Sequence, residues 1–448
     1  MLDPIAVNPQ HAPLPGFVLV GAVCLLVAIW LLTWRWRHAI AWSQRRLWIL
    51  AGCWSLPLVV GPPLMSDDVS SYAAQGLMVS RGLSPYSVGP LALGQSAALR
   101  AVDPVWRQAH SPYGPLATAV EHLSSVVGRG PFGTVVMLRL FSVVSVVVIG
   151  RLALGITRPL LQPGVFLLTV ANPLTLLEVV SGAHLEGMMC ALLLGALVAL
   201  RRERPYLALA LACGAGLVKA PGLILVVVIA AVAWRAKPQR LAATAARIAV
   251  TVGVSVAALS SLIPNGWGWL KTLGTPGQGY TPAAPVSLLS AALTPPIVWT
   301  GLASKGTLQT GCRLAAIALA LVVIAWLVIT IHRRGPVRTA GWALLAASLL
   351  GPVIYPWYLL WGIVCLACAA KDRERHWLIL LSAVGSMMDI PGLAKPSVIA
   401  VAAVVGSATI GCIAWLTWTT LREHDWIQRT AVIPIAEPGA VRPDGQPA

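Results

Sequence analysis

Apolar residues run through this chain in blocks about as long as a bilayer is thick, divided by short basic or Pro-rich breaks. A helix needs about 20 apolar residues to cross the hydrocarbon. Blocks of that kind fall near 15–34, 47–64, 131–150, 163–180, 187–200, 240–263, 308–331, 376–390 and 397–420. The fourth is interrupted at Asn172-Pro173. Two longer stretches, 206–234 and 340–370, each read as a hairpin, turning near Lys219-Ala220-Pro221-Gly222 and Tyr355-Pro356-Trp357-Tyr358. The pattern predicts an all-α, polytopic membrane bundle of about 13 transmembrane helices over residues 1–421. Residues 422–448 are polar and Pro-rich, the composition of a disordered tail.

Two segments, 65–130 and 264–307, lack a predicted span. In the first, residues 69–80 pattern as a short interfacial helix, and Pro85, Pro90, Pro104, Pro112 and Pro115 break the rest into turns. Composition agrees: 57% of residues are hydrophobic and 10% charged, against about 25% charged in a soluble domain. The net charge of +17 resides in short loops such as Arg35–Arg46, Arg201–Arg204 and Arg333–Arg338. The positive-inside rule makes those loops cytoplasmic. Segments 65–130 and 264–307 and the N-terminus are then extracytoplasmic, and the C-terminus cytoplasmic. No basic soluble region with interleaved aromatics is present to bind nucleic acid. All eight cysteines fall in apolar runs, and Cys365 and Cys368 have no His or acidic neighbours, so neither disulfides nor a zinc site is expected. Residues 1–14 hold no Lys or Arg, so no cleavable signal is predicted.

The chemistry concentrates at Ser66-Asp67-Asp68-Val69-Ser70-Ser71-Tyr72. Two adjacent carboxylates follow a membrane-length run in a chain with only 15 acidic residues. Adjacent side chains point apart, so a shared-proton dyad is not expected. Either acid can cap the helix over 69–80, or face a cavity as a base.

The sequence then continues Tyr72-Ala73-Ala74-Gln75-Gly76, Arg81-Gly82-Leu83-Ser84-Pro85-Tyr86 and Ser111-Pro112-Tyr113-Gly114-Pro115. Asn172-Pro173-Leu174, Ser181-Gly182-Ala183-His184, Leu217-Val218-Lys219-Ala220-Pro221 and Tyr355-Pro356-Trp357-Tyr358-Leu359-Leu360-Trp361 come later. This arrangement resembles the actinobacterial polyprenol-phosphomannose-dependent α-1,6-mannosyltransferases, a family of integral-membrane GT-C glycosyltransferases. The likeness covers most of residues 65–365. It implies a GT-C-like bundle with short juxtamembrane helices in the first outer loop. It also implies a polyprenyl-phosphate-mannose donor, a lipid-linked mannan acceptor and transfer with inversion. By the same resemblance Asp68 is the general base, with Asp67 the other candidate. Tyr72, Gln75, Tyr86 and Tyr113 then belong to the sugar site.

A polyprenyl phosphate leaves well and needs charge stabilisation more than a general acid; the acceptor hydroxyl needs a base. No resident cofactor is required, although a divalent cation is compatible with the acid pair. The candidate cations are Arg139, inside a predicted span, Lys219, at a hairpin turn, and Arg81, in the outer loop. Their alternatives are snorkelling or plain interfacial positions. His184 and Glu186 are predicted at an outer helix end, either lining the sugar cavity or solvated, and Glu178 is expected to face the interior. Trp357 and Tyr358 suit sugar stacking or an aromatic belt. A transporter would carry its acids at the midplane, whereas these cluster at one face. A scaffold would lack a cavity joining Asp68, Arg139 and Lys219.

Overall fold

The apolar runs fold into helices, and where two runs meet the chain breaks into tight turns. In the computed structural model the described residues are 16–388, apart from 237, 276–280, 282–283 and 301–303. Helices α1 (Gly16–Arg35) and α2 (Gln44–Val60) open the chain, α2 starting under the Ser43 side chain, which accepts from the Arg46 N–H. Next come α3 (Asp68–Ser80), the one-turn α4 (Ala97–Ala101) and α5 (Pro115–Gly128). Helices α6 (Pro131–Ile156) and α7 (Gln162–Thr169) lead to a π-helical segment, Thr175–Ser181, and to α8 (Glu186–Arg201). Then follow α9 (Pro205–Val218), α10 (Leu223–Ala236), α11 (Leu241–Ser260) and α12 (Pro285–Trp299). The last are α13 (Lys305–Ile329), α14 (Ile331–Arg334), α15 (Pro336–Leu349), α16 (Leu359–Ala367) and α17 (Asp372–Gly385). No strand occurs among the described residues.

The expected 13 crossings are not matched helix for helix. Among the described residues, four helices are long and apolar enough to span: α1, α6, α11 and α13. A fifth results if the π segment and α8, bent by 111°, are counted together. The shorter apolar helices, counted with the 3-10 turns that lead into them, have 10–17 residues. Backbone breaks are the reason: the run 206–234 divides at Lys219–Gly222 and the run 340–370 at 350–358, as their turn sequences indicated. Segment 264–307, expected without a span, holds the 15-residue α12, which is too short to be one. The block 397–420 and the tail lie outside the described residues.

The interrupted run at Asn172-Pro173 shows how a break is kept inside a core. Pro173 has no N–H to donate. Asn172 Oδ1 accepts from the Leu174 N–H at 3.0 Å, while its Nδ2 donates to the Leu168 carbonyl and to Ser382 Oγ. Thr175 Oγ1 donates to the Thr169 carbonyl at 2.7 Å. Side chains thus satisfy the backbone groups that the helix gives up, as an apolar interior requires.

Two close backbone approaches position the site. A Cβ at Gly76 would lie 2.1 Å from the Glu121 carbonyl oxygen, so the glycine lets α3 press against α5. A Cβ at Gly114 would lie 2.2 Å from the Leu217 carbonyl, and the Gly114 N–H donates to Val218 O at 2.9 Å. The loop before α5 is thereby tied to the end of α9, beside Lys219.

Candidate active site

Asp68 opens α3, and Tyr72 and Gln75 follow at positions i+4 and i+7, so all three share one helix face. Asp67, the residue before α3, makes no side-chain cap hydrogen bond. Met65, just upstream, has φ 71°, and Ala183, just before His184, has φ 56°. A left-handed backbone at a residue with a side chain is strained, and such strain concentrates at functional sites. Met65 lies three residues before Asp68, and Ala183 precedes His184; neither lines the site's cavity itself.

That cavity, of about 40 Å³, is lined by Asp68, Tyr72, Gln75, Tyr113, Lys219, Trp357 and Tyr358 among others. These seven come from four separate stretches of sequence, and the structure brings them together. Asp68 is 17% exposed, so it reaches the cavity without being sealed in. Behind the wall runs a polar chain. The Lys219 ammonium pairs with the buried Glu186 carboxylate. Tyr113 OH donates to Glu186 at 3.3 Å and lies 2.8 Å from Tyr72 OH. Since Tyr113 donates to the carboxylate, Tyr72 donates to Tyr113. Burial, then the neighbouring carboxylates of Asp68 and Glu186, push both phenols well above their ordinary range, so both keep their protons. Lys219 Nζ also lies 4.6 Å from the Tyr113 ring centre and 4.3 Å from that of Tyr358. Two aromatic faces therefore hold the ammonium at the cavity edge.

The aromatic wall continues the order of the sequence motif. Tyr355 stacks on Trp357 at 4.9 Å, and Trp357 stacks on His184 at 3.7 Å. His184 and Glu186 are fully buried and sit behind this wall.

Four other sequence candidates lie elsewhere. Arg139 is buried and donates to the carbonyls of Leu58, Val59, Gly61 and Ser181, with all five of its N–H groups engaged. It closes the ends of α2 and of the π segment and leaves no donor for a phosphate. Arg81 is exposed at the far end of α3 from Asp68, about 20 Å along the helix at 1.5 Å per residue. Tyr86 is buried beside Leu217, Ile263 and Trp269, its OH 3.0 Å from Thr118 Oγ1. Asp67 does not line the cavity.

Sequence reading missed Arg313. It lines a second, larger cavity of about 570 Å³ with Leu273, Leu314, Ile317, Val353 and Trp361. The two cavities share Pro112, Lys219 and Tyr358. An arginine within the apolar run of α13 was the available signal. Among the described residues, no group of three or more His, Cys, Asp and Glu side chains is arranged to hold a metal ion.

The fold and site define a helical, membrane-type protein whose acid- and lysine-lined cavity adjoins an apolar one. Residues 4–236 match the family model described as alpha-(1->6)-mannopyranosyltransferase, N-terminal domain, and residues 296–418 match the MptB C-terminal domain. The chain belongs to the alpha-(1->6)-mannopyranosyltransferase family. It is 30% identical over 384 residues to an alpha-(1->6)-mannopyranosyltransferase of Mycobacterium tuberculosis, which covers 71% of this chain and 64% of the relative. It is 30% identical over 359 residues to alpha-(1->6)-mannopyranosyltransferase B of Corynebacterium glutamicum, covering 71% and 58%. This chain thus spans less than two thirds of the length of these two relatives. No solved structure matches it.

Proposed function

We propose that this protein transfers mannose from polyprenyl-phosphate-mannose to a lipid-anchored α-1,6-mannan acceptor outside the cytoplasm, with inversion. The observation that carries the reading is one cavity lined by both Asp68 and Lys219, which shares Pro112, Lys219 and Tyr358 with a larger, mostly apolar cavity. The relatives, alpha-(1->6)-mannopyranosyltransferases, supply the sugar and the linkage. The all-helical bundle, with α3, α4 and α5 as juxtamembrane helices, supports a GT-C-type scaffold.

In this reading the donor's isoprenoid chain lies in the larger cavity, against Leu273, Leu314 and Ile317. Its phosphate sits where the cavities meet, between Lys219 and Arg313. Lys219 has three N–H groups; one meets Glu186 and one Tyr113. The third is available to a phosphate oxygen. The mannosyl ring occupies the smaller cavity beside Trp357, Tyr355 and Tyr358. Asp68 removes the acceptor's hydroxyl proton, and the oxygen attacks the anomeric carbon from the face opposite the phosphate. Charge on the leaving phosphate is met by Lys219 and Arg313, so EDTA-washed membranes are expected to retain activity. Loss restored by a divalent cation would instead assign that charge to a metal.

The test is transfer by membranes carrying this protein, given labelled polyprenyl-phosphomannose and a synthetic mannoside, with linkage analysis of the product. An α-1,6 product that disappears in Asp68→Asn is expected. No mannosyl transfer, or another linkage, overturns the reading. The basic loops support a plasma-membrane placement with the cavity outside the cytoplasm. Cysteine at the exposed Gln95 is then labelled by an impermeant thiol reagent in intact cells; labelling only after permeabilisation reverses the orientation.

A further inference from the structure

We propose that His184 is a positioning residue that takes over the proton collected by Asp68. The inference rests on the reading of Asp68 as base. His184 is fully buried between two acids. Its Nδ1 lies 2.7 Å from the Glu178 carbonyl oxygen, and a carbonyl only accepts. Nδ1 therefore carries the hydrogen. In the neutral ring Nε2 must then present a lone pair, and Nε2 lies 3.8 Å from Asp68 Oδ2. No hydrogen bond to Nε2 is made among the described residues. A lone pair aimed at an ionised carboxylate gains nothing. Aimed at the same carboxyl carrying a proton, it is an acceptor. The geometry is matched to Asp68 after it has acted, and such contacts tighten when substrate binds.

The step balances as follows. The acceptor O–H bond breaks and an O–H bond forms on Asp68. The acceptor oxygen bonds to the anomeric carbon, and the phosphate leaves with the electron pair of the broken C–O bond. The proton then moves from Asp68 to Nε2, giving an imidazolium and restoring the carboxylate. It returns through Asp68, which borders the cavity, to water once product leaves. Three features stabilise the imidazolium. Asp68 faces Nε2, the Glu178 carboxyl lies 3.6 Å from Nδ1, and the Trp357 face is stacked at 3.7 Å. The other ionisable groups around the ring are Glu186 on α8, Lys219 before α10 and Tyr72 on α3. Glu186 and Lys219 oppose one another, and Tyr72 stays neutral.

Asp68 and His184 together hold one proton more tightly than Asp68 alone, because either site can take it. Transfer needs the pair empty. The acid limb of the kcat–pH profile therefore stands higher in the wild type than in a variant without the imidazole. In His184→Gln, kcat is expected to fall about 10²-fold, the lower range for a proton-transfer contribution. KM for donor and acceptor should stay within about twofold, and the acid limb should move down by about one pH unit or more. Glu178→Gln should lower kcat by about 3- to 10-fold and move the limb down by less. A purely structural His184 would lower the yield or raise KM and leave the limb in place. An unmoved limb, or wild-type kcat, in His184→Gln overturns the proposal; if that variant does not accumulate, an unmoved limb in Glu178→Gln does so. Asp68→Asn is assayed in the same membranes. An inactive Asp68→Asn beside an unchanged His184→Gln removes the relay alone, whereas an active Asp68→Asn removes the base reading itself.

Discussion

Arg139 and Lys219 are both buried cations at places where helices break, yet they have opposite surroundings. Arg139 meets only carbonyl oxygens: those of Leu58, Val59 and Gly61 at the end of α2, and of Ser181 at the end of the π segment. Lys219 meets a carboxylate and two aromatic faces and borders both cavities. A guanidinium with five fixed donors suits the splayed carbonyls of two helix ends. An ammonium on a flexible stem suits a site where one donor must stay available to a ligand. The two breaks thus differ in purpose: one is closed by its cation, and the other leaves its cation facing space.

The sharpest way to break this contrast is to remove each charge and watch different readouts. Arg139→Met takes the donors from four carbonyls at two helix ends, that of the buried Ser181 among them, and an unsatisfied buried acceptor costs about 1–3 kcal/mol. The expected result is loss of folded protein from the membrane, measured by detergent-extracted yield. Normal yield with failed donor use would place Arg139 at the ligand after all.

Asp68→Asn should come next, with transfer reduced by about 10²–10⁴-fold and yield unchanged. Asp67→Asn should lose far less, since Asp67 does not border the cavity. The reverse ranking would move the base to Asp67.

Lys219→Met alone leaves Glu186 charged in the core, a change that costs about 3–5 kcal/mol. The paired substitution Lys219→Met with Glu186→Gln removes both charges and should restore yield. Donor use should still fall by about 10- to 100-fold, the equivalent of a charge-assisted hydrogen bond of about 1.5–3 kcal/mol. Acceptor KM should change less. Full activity in the pair would make Lys219 a second Arg139. The smallest effect belongs to Arg81→Met, within about twofold of wild type, because exposed charges contribute little. A larger loss would bring α3's far end into the site.

The sequence made the breaks legible because their residues announce them. Asn172-Pro173, Ala220-Pro221-Gly222 and Tyr355-Pro356 lie where the helices stop. The short helix after Asp67 was visible from its patterning. The acid, the lysine and the Trp357-Tyr358 pair were readable as residues with no apolar reason to be there. Their assembly into one cavity rests on contacts between distant segments, such as Gly114 against Leu217, which no local pattern contains. Arg139 misled for a related reason. A cation in an apolar run signals that buried oxygen atoms lie nearby, but the sequence does not say whether they are carbonyls or a ligand's. Glu186 was read beside His184, its neighbour, whereas its partner Lys219 lies 33 residues away. The spans near 15–34, 187–200 and 308–331 match α1, α8 and α13 closely, whereas α6 runs six residues past the expected 131–150.

The Gly114 tether also divides the cavity wall into a part locked to α9 and a rim built from the loop between α4 and α5. Tyr113, Glu186 and Lys219 are locked to one another and, through Gly114, to the end of α9. Trp106, Ala109 and His110 border the same cavity from a stretch between α4 and α5, where His110 is exposed. Loops of that kind tolerate exchange far better than packed helices do. Under the proposed function, a change at this rim alters acceptor preference while the cluster of Tyr113, Glu186 and Lys219 beneath is kept.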